Sequence, residues 1–233
     1  MKVKTITIDL WGTLLFDGPA SDNRYKKRRL ADFEPLLAAA GMAVSAAALD
    51  RAYDESGGYL SRIWATHRDV PVDDHIRAIL AAVDPGLPRR VPPALMTALV
   101  DAYASPILVV PPAVDNGALA ALETLHGGGY TLALVSNIMR TPGTTLRRLL
   151  ERFRLLEYLA PEIFRLTLRA VAGEPDTAVH VGDDIVLDVQ GARAAGMRVI
   201  QVASPVRALG AKRPDLVISQ LAELPEAIEQ LES

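Results

Sequence analysis

The chain has 233 residues, half of them apolar, and a formal net charge of −3 at pH 7. That length suits one large domain or a core with a smaller inserted domain, and the slight acidity removes any general attraction to nucleic acid or anionic lipid. There is no cysteine, which excludes disulfides, thiolate metal sites and thiol nucleophiles.

No stretch approaches the roughly 20 apolar residues of a bilayer span. The first residues are too polar and too soon β-rich for a secretory signal, so a soluble cytoplasmic protein without a membrane partner is expected. The first element is the β-branched run Ile6-Thr7-Ile8, which delivers Asp9 into the turn Trp11-Gly12-Thr13. In open α/β folds a strand that ends on a carboxylate places it at the carboxyl edge of the sheet, which makes Asp9 a candidate nucleophile. Gly12 has no Cβ, so the main chain of Gly12 and Thr13 can approach a bound ion or oxyanion.

Residues 17–108 differ from their flanks. Helical periodicity recurs over about 26–40, 46–65, 72–83 and 92–104, broken at Gly41, Pro71, Asp84-Pro85-Gly86 and Pro92-Pro93, and strand signals are weak. The expected organisation is therefore an α/β core at 1–16 and 109–233 with an all-α insert at 17–108. Within that insert, Tyr25 to Arg29 form a basic run, expected to be a solvated helix face rather than a nucleic-acid site. Trp64 is expected to pack in the helical core.

From Val109 onward helices and strands alternate. A helix is predicted over 113–126, a strand over 130–135 ending at Ser136-Asn137, helices over 142–153 and 161–172, and a strand over 178–181 ending at Gly182-Asp183-Asp184. A helix over 187–195, strands over 198–202 and 215–219, and a short terminal helix complete the chain. This alternation predicts a doubly wound, mostly parallel, Rossmann-like sheet. Gly127-Gly128-Gly129 ends a helix before a strand, the reverse of a dinucleotide fingerprint. Asp17 and Asp115 are assigned to turns or helix starts. His180, inside an apolar strand, is expected to be a hydrogen-bonded core residue.

In a parallel sheet the ends at Asp9, Ser136-Asn137 and Asp183-Asp184, with Asp188 just beyond, share one edge. Two carboxylates about 4 Å apart repel by roughly 4 kcal/mol at an effective dielectric near 20, so Asp9 and Asp183 together call for a cation. Mg²⁺, a hard ion that takes a few carboxylates plus water and phosphate oxygens, suits this set. Ser136 and Asn137 can donate hydrogen bonds to an anionic oxygen while Asp9 attacks a polarised centre. Arg140 lies in the same loop and is a candidate contact for an anionic group.

Asp9-x-x-Gly12-Thr13-Leu14, Val135-Ser136-Asn137, and Val181-Gly182-Asp183-Asp184 through Asp188 to Gly196-Met197 together resemble the motifs of the haloacid dehalogenase superfamily, over about 1–16 and 109–225. The resemblance implies Asp9 as covalent nucleophile and Asp183 as a Mg²⁺ ligand with the Trp11 carbonyl; Asp184 and Asp188 complete the candidate metal residues. It also implies that the insert is a lid over a small-molecule substrate, in a monomer or homodimer.

Two departures keep three activities open. Phosphatases of the family carry a second aspartate, the general acid, where this chain has Trp11, whereas dehalogenating relatives carry an aromatic residue there. The family's lysine is also missing, since no lysine occurs between Lys27 and Lys212. Hence a Mg²⁺-dependent phosphate-ester hydrolase, a haloacid dehalogenase and a catalytically silent binding relative all remain. Leu155 to Leu159 reads as entry to an edge strand and Ala160 to Phe164 as the far side of the lysine loop, with about fifteen residues missing between them. The short link between the helices predicted over 142–153 and 161–172 favours a gap in the chain near 158–161 over a true deletion.

Overall fold

The computed structural model describes residues 2–66, 68–136, 140–161, 168, 172–202 and 213–233. Asn137, His67 and most of the helix predicted over 161–172 lie outside the described residues. The chain divides into two compact units, one of residues 1–18, 112–136 and 150–233, the other of residues 19–111 and 137–149.

The first unit holds a six-stranded sheet of β1 (Thr5–Asp9), β4 (Thr131–Val135), β5 (Ala160–Pro161), β6 (Ala178–Gly182), β7 (Arg198–Val202) and β8 (Leu216–Ile218). Its order is β5-β4-β1-β6-β7-β8, and every neighbouring pair is parallel. Parallel central strands are covered on both faces, so they read as near-continuous apolar runs. Accordingly Thr5 to Ile8 of β1 and all five residues of β6 are buried. Ile6 and Ile8 are fully buried, each worth about 1.5–3 kcal/mol.

Strand β1 sits between β4 and β6, where the order of the strands reverses, and this is the position at which such sheets open a ligand crevice. The register pairs Asp9 with Val135 and Ile8 with Val181. That register sets the strand ends carrying Asp9, Ser136 and Asp183 side by side.

The structure corrects several sequence expectations. The helix predicted over 113–126 starts later. Ala113–Val114 form β3, antiparallel to β2 (Leu15–Phe16), and helix α7 spans Ala118–Gly127. The amide of Asp115 donates to the Leu14 carbonyl at 3.0 Å, and its carboxylate accepts from Gly117 N at 2.8 Å, so the chain turns before the helix can begin. The helix predicted over 187–195 is a π-helical turn at Ile185–Gln190 followed by Gly191–Ala194.

The expected gap near 158–161 is absent. Tyr158 N donates to Leu155 O and Leu159 N to Leu156 O, and Ala160–Pro161 pair with Ala133–Leu134 as edge strand β5. A 3-10 turn at Leu156–Tyr158 leads directly into that strand. Pro161 belongs to the strand rather than to a helix start.

The second unit is helical among its described residues. It contains α1 (Ser21–Ala39), α2 (Ala46–Trp64), α3 (Val72–Val83), α4 (Leu87–Arg90), α5 (Pro93–Ala104) and α6 (Pro106–Val109). Its core gathers Phe33, Leu37, Leu49, Ile76, Ile79, Leu99 and Tyr103. Ser45 accepts from Ala48 N at the start of α2, an N-cap worth about 1 kcal/mol.

The basic run at 25–29 is not a uniform solvated face. Lys26 pairs with Asp50 and Asp54, Arg28 pairs with Asp32, and Arg29 is only 4% exposed. No helix among the described residues is long and apolar enough to cross a membrane.

Candidate active site

Carboxylate oxygens of Asp9, Asp183 and Asp188 lie within 4.8 Å of one another. Asp9 ends β1, and Asp183 follows β6 directly. Asp188 is brought back to them by the π-helical turn, whose extra residue per turn re-aims a side chain. The turn is started by Asp184, whose Oδ1 accepts from Val186 N and Leu187 N at 2.7 Å each. Asp184 thus caps the turn and is not one of the three convergent carboxylates, although its charge acts on Asp9.

Asp188 is 5% exposed and held from two sides. Its Oδ2 accepts from Asp184 N at 2.8 Å, and its Oδ1 lies 3.1 Å from His180 Nε2. His180 Nδ1 is in turn 2.8 Å from Thr7 Oγ1 on β1. His180 is fully buried, so it is the hydrogen-bonded core residue expected from the sequence, and it ties Asp188 to the neighbouring strand.

Two glycines make room for these carboxylates. Gly12 has φ +83° and packs on Asp183; a Cβ there would stand 2.6 Å from its Oδ2 and 2.7 Å from its Cγ. A side chain at Gly182 would overlap the Asp188 carboxylate. Gly182→Ala is therefore expected to displace Asp188 and to remove most of any Mg²⁺-induced rise in melting temperature, as differential scanning calorimetry with and without the ion would record.

The loop after Asp9 is tight. Leu14 N and Leu15 N both donate to Leu10 O, Gly12 N donates to Leu15 O at 2.9 Å, and Trp11 is half-buried beside Leu15. The Thr13 hydroxyl is buried and makes no hydrogen bond among the described residues. Behind Asp183, Gln201 Nε2 donates to its carbonyl at 3.1 Å. Ser136, half-buried, follows β4 opposite Asp9. Arg140 falls in the helical unit among Tyr53, Tyr103 and Trp64 rather than in the unit that holds the carboxylates.

Burial pushes the Asp9 carboxyl up from its ordinary 3.8 to about 8, helped by the negative charges of Asp188, Asp183 and Asp184 and opposed by a hydrogen bond from the Leu10 backbone. Three carboxylates so close oppose one another's ionisation unless a cation neutralises them. The all-oxygen donor set, with no sulfur and no imidazole among the trio, fits a hard divalent ion such as Mg²⁺.

A group whose folded-state pKa is raised stabilises the fold fully below its unfolded pKa, near 4. It loses that contribution as pH rises toward the folded value, near 8. The metal-free protein is thus expected to lose melting temperature between pH 5 and 8. Asp9→Asn should flatten that slope, and added Mg²⁺ should raise the melting temperature more at pH 8 than at pH 6. For a chain of this size each kcal/mol corresponds to about 2–4 °C.

A family model described as a haloacid dehalogenase-like hydrolase matches residues 3–196, and the chain belongs to that family. A rat phospholysine phosphohistidine inorganic pyrophosphate phosphatase is 51% identical over 43 residues, which cover 18% of this chain and 16% of that protein. The chain therefore matches about a sixth of that relative's length. Among solved structures, a 2-haloacid dehalogenase from Pseudomonas syringae pv. Tomato is similar with a TM-score of 0.63 at 22% identity, over 98% of this chain and 99% of that one. A HAD phosphatase from Thermococcus onnurineus is similar with a TM-score of 0.58 at 22% identity, over 97% and 98%. These two likenesses establish the mostly parallel α/β fold.

Sequence reasoning missed the bracing of Asp188 by His180 and the support of Asp183 by Gln201. The first had a signal: a histidine two residues before Gly182 on a buried strand, facing an aspartate eight residues on. The second depends on the register of β6 with β7, where Gly182 pairs with Gln201. No local pattern carries it.

Proposed function

We propose that the protein is a Mg²⁺-dependent hydrolase of a small phosphate ester that uses Asp9 as its nucleophile. The observation that carries this proposal is the convergence of Asp9, Asp183 and Asp188 within 4.8 Å at the switch point of the sheet. Those three carboxylates and the Trp11 carbonyl would hold the ion. When bound, Mg²⁺ supplies neutralisation of the carboxylates and of phosphoryl oxygens.

A carboxylate oxygen of Asp9 attacks phosphorus, the bond to the ester oxygen breaks, and the alcohol leaves after taking a proton. Water then attacks the aspartyl phosphate, releasing inorganic phosphate and restoring Asp9. The main chain of Gly12 and Thr13 and the hydroxyl of Ser136 donate to the anionic oxygens, with Asn137 assigned the same role from its place in the sequence. A bound oxyanion would also give the Thr13 hydroxyl a partner. The indole N–H of Trp11 is far too weak an acid to protonate the leaving alkoxide, so that proton comes from solvent and turnover is slow.

The domain division proposed is a core at 1–16 and 109–233 with the helical insert 17–108 as substrate-selecting cap. The proposed setting is the cytoplasm, as a monomer or homodimer with a small-molecule substrate and no nucleic-acid or membrane partner. The aromatic residue at Trp11 supports a second activity, dehalogenation of a 2-haloacid, in which a halide leaves without a proton. Assay of the purified protein with a generic phosphate ester and a short 2-haloacid, each with and without Mg²⁺, tests both. Metal-dependent phosphate release supports the first. Halide release without metal replaces it with the second, and no turnover of either leaves a binding protein.

A further inference from the structure

The helical unit contains two guanidinium groups in one aromatic cluster. Arg29, 4% exposed, donates from Nε to the Tyr103 carbonyl at 2.8 Å and from Nη1 to the Tyr53 hydroxyl at 2.7 Å. Arg140, half-buried, donates from Nη1 to the Tyr103 hydroxyl at 2.8 Å and to the Tyr53 hydroxyl at 3.3 Å. Its guanidinium carbon stands 5.1 Å from the Tyr53 ring centre and 5.4 Å from that of Trp64, and that of Arg29 stands 4.3 Å from the Tyr103 ring. Both cations thus share the same two tyrosines.

What the cluster lacks is negative charge. Among the described residues no carboxylate forms an ion pair with Arg29 or Arg140. Of the nearby acids, Asp22 acts on Arg140 only at longer range, Asp69 acts on His75 and is bonded to Trp64 Nε1, and Asp50 and Asp54 are taken by Lys26. Burying charge without a counter-charge is costly, and in proteins such charges are normally paired.

The hydrogen bonds have the same one-sided character. Tyr53 accepts from both arginines, and no hydrogen bond donated by its hydroxyl is found among the described residues. Arg140 spends Nη1 on the two tyrosines, which leaves Nη2 and Nε, the edge that binds carboxylate or phosphate with two parallel bonds. Burial and the Arg140 charge hold His75, packed edge-on against Tyr103, down at about 4, so the imidazole adds no competing cation at neutral pH.

We propose that Arg140, Arg29 and the Tyr53 hydroxyl form a binding site for a small oxyanion, a carboxylate or a phosphate group, within the helical unit. The site requires nothing of the Asp9 chemistry, so it stands or falls separately from the proposed hydrolase activity.

Isothermal titration of the full chain in EDTA at fixed ionic strength, with inorganic phosphate in one arm and acetate in the other, tests it. Saturable binding of at least one of the two, with a component that depends on Arg140, is expected. Binding of one alone identifies which group the site takes. Arg140→Gln should weaken that binding at least tenfold. Tyr53→Phe, which keeps the ring packing and removes only the hydroxyl, should also weaken it, with far-UV circular dichroism verifying the fold of each variant. Absence of saturable binding in both arms, or native-like affinity in Arg140→Gln, overturns the proposal.

Discussion

Asp9→Asn is expected to reduce hydrolysis of the responsive substrate by at least about 10⁴-fold, because the amide has no charge with which to attack and the neighbouring carboxylates of Asp183 and Asp188 are assigned to the ion. The loss should appear in kcat as well as in kcat/KM, since the covalent step itself is removed. The same substitution deletes a carboxyl that burial and neighbouring charge hold near 8, so the variant should be no less stable than the native chain at neutral pH without metal. A folded variant that keeps a tenth or more of native turnover would remove Asp9 from the chemistry.

Trp11→Asp is expected to act in the opposite direction. Two residues after the nucleophile, a carboxyl there can give its proton to the departing alkoxide, a contribution of about 10²–10⁴-fold for a well-placed general acid. The backbone around this position is fixed by the bonds of Leu14 N, Leu15 N and Gly12 N, none of which uses the indole, so the exchange leaves the loop's hydrogen bonds in place. Phosphate release from a generic ester with a poor leaving group should therefore rise, and release from one that departs without protonation should change much less. An unchanged rate with the poor leaving group, in a variant of native melting behaviour, would mean that proton supply is not what limits this chain.

The sheet was legible because parallel strands advertise themselves: Ile6-Thr7-Ile8 and Ala178-Val179-His180-Val181 are apolar or β-branched and each ends on an aspartate at a turn. Strand direction then carried Asp9 and Asp183 to one edge without any knowledge of the register. The role of Asp184 was not legible. Two adjacent aspartates look equivalent in sequence, and only the cap bonds to Val186 N and Leu187 N separate a turn-maker from its neighbour. Asp188 could be suspected from its spacing, but its place depends on a π-helical turn, which leaves no periodic trace in six residues.

The late start of α7 escaped for a comparable reason. Pro111-Pro112 reads as a helix opening, yet pairing of Ala113–Val114 with Leu15–Phe16 is a contact between segments almost a hundred residues apart. The buried arginine escaped most completely. Arg29 sits in a run of four basic residues whose other members face solvent or acids, and only the tertiary placement of Tyr53 and Tyr103 draws it inside.

The central claim is that Asp9, Asp183 and Asp188 together hold one divalent cation. Calorimetric titration of the metal-free protein with Mg²⁺ at pH 8, repeated on Asp183→Asn, tests it most directly. One ion per chain, with affinity falling at least tenfold in the variant, is the predicted result. No saturable binding, or an affinity that Asp183→Asn leaves untouched, would contradict it.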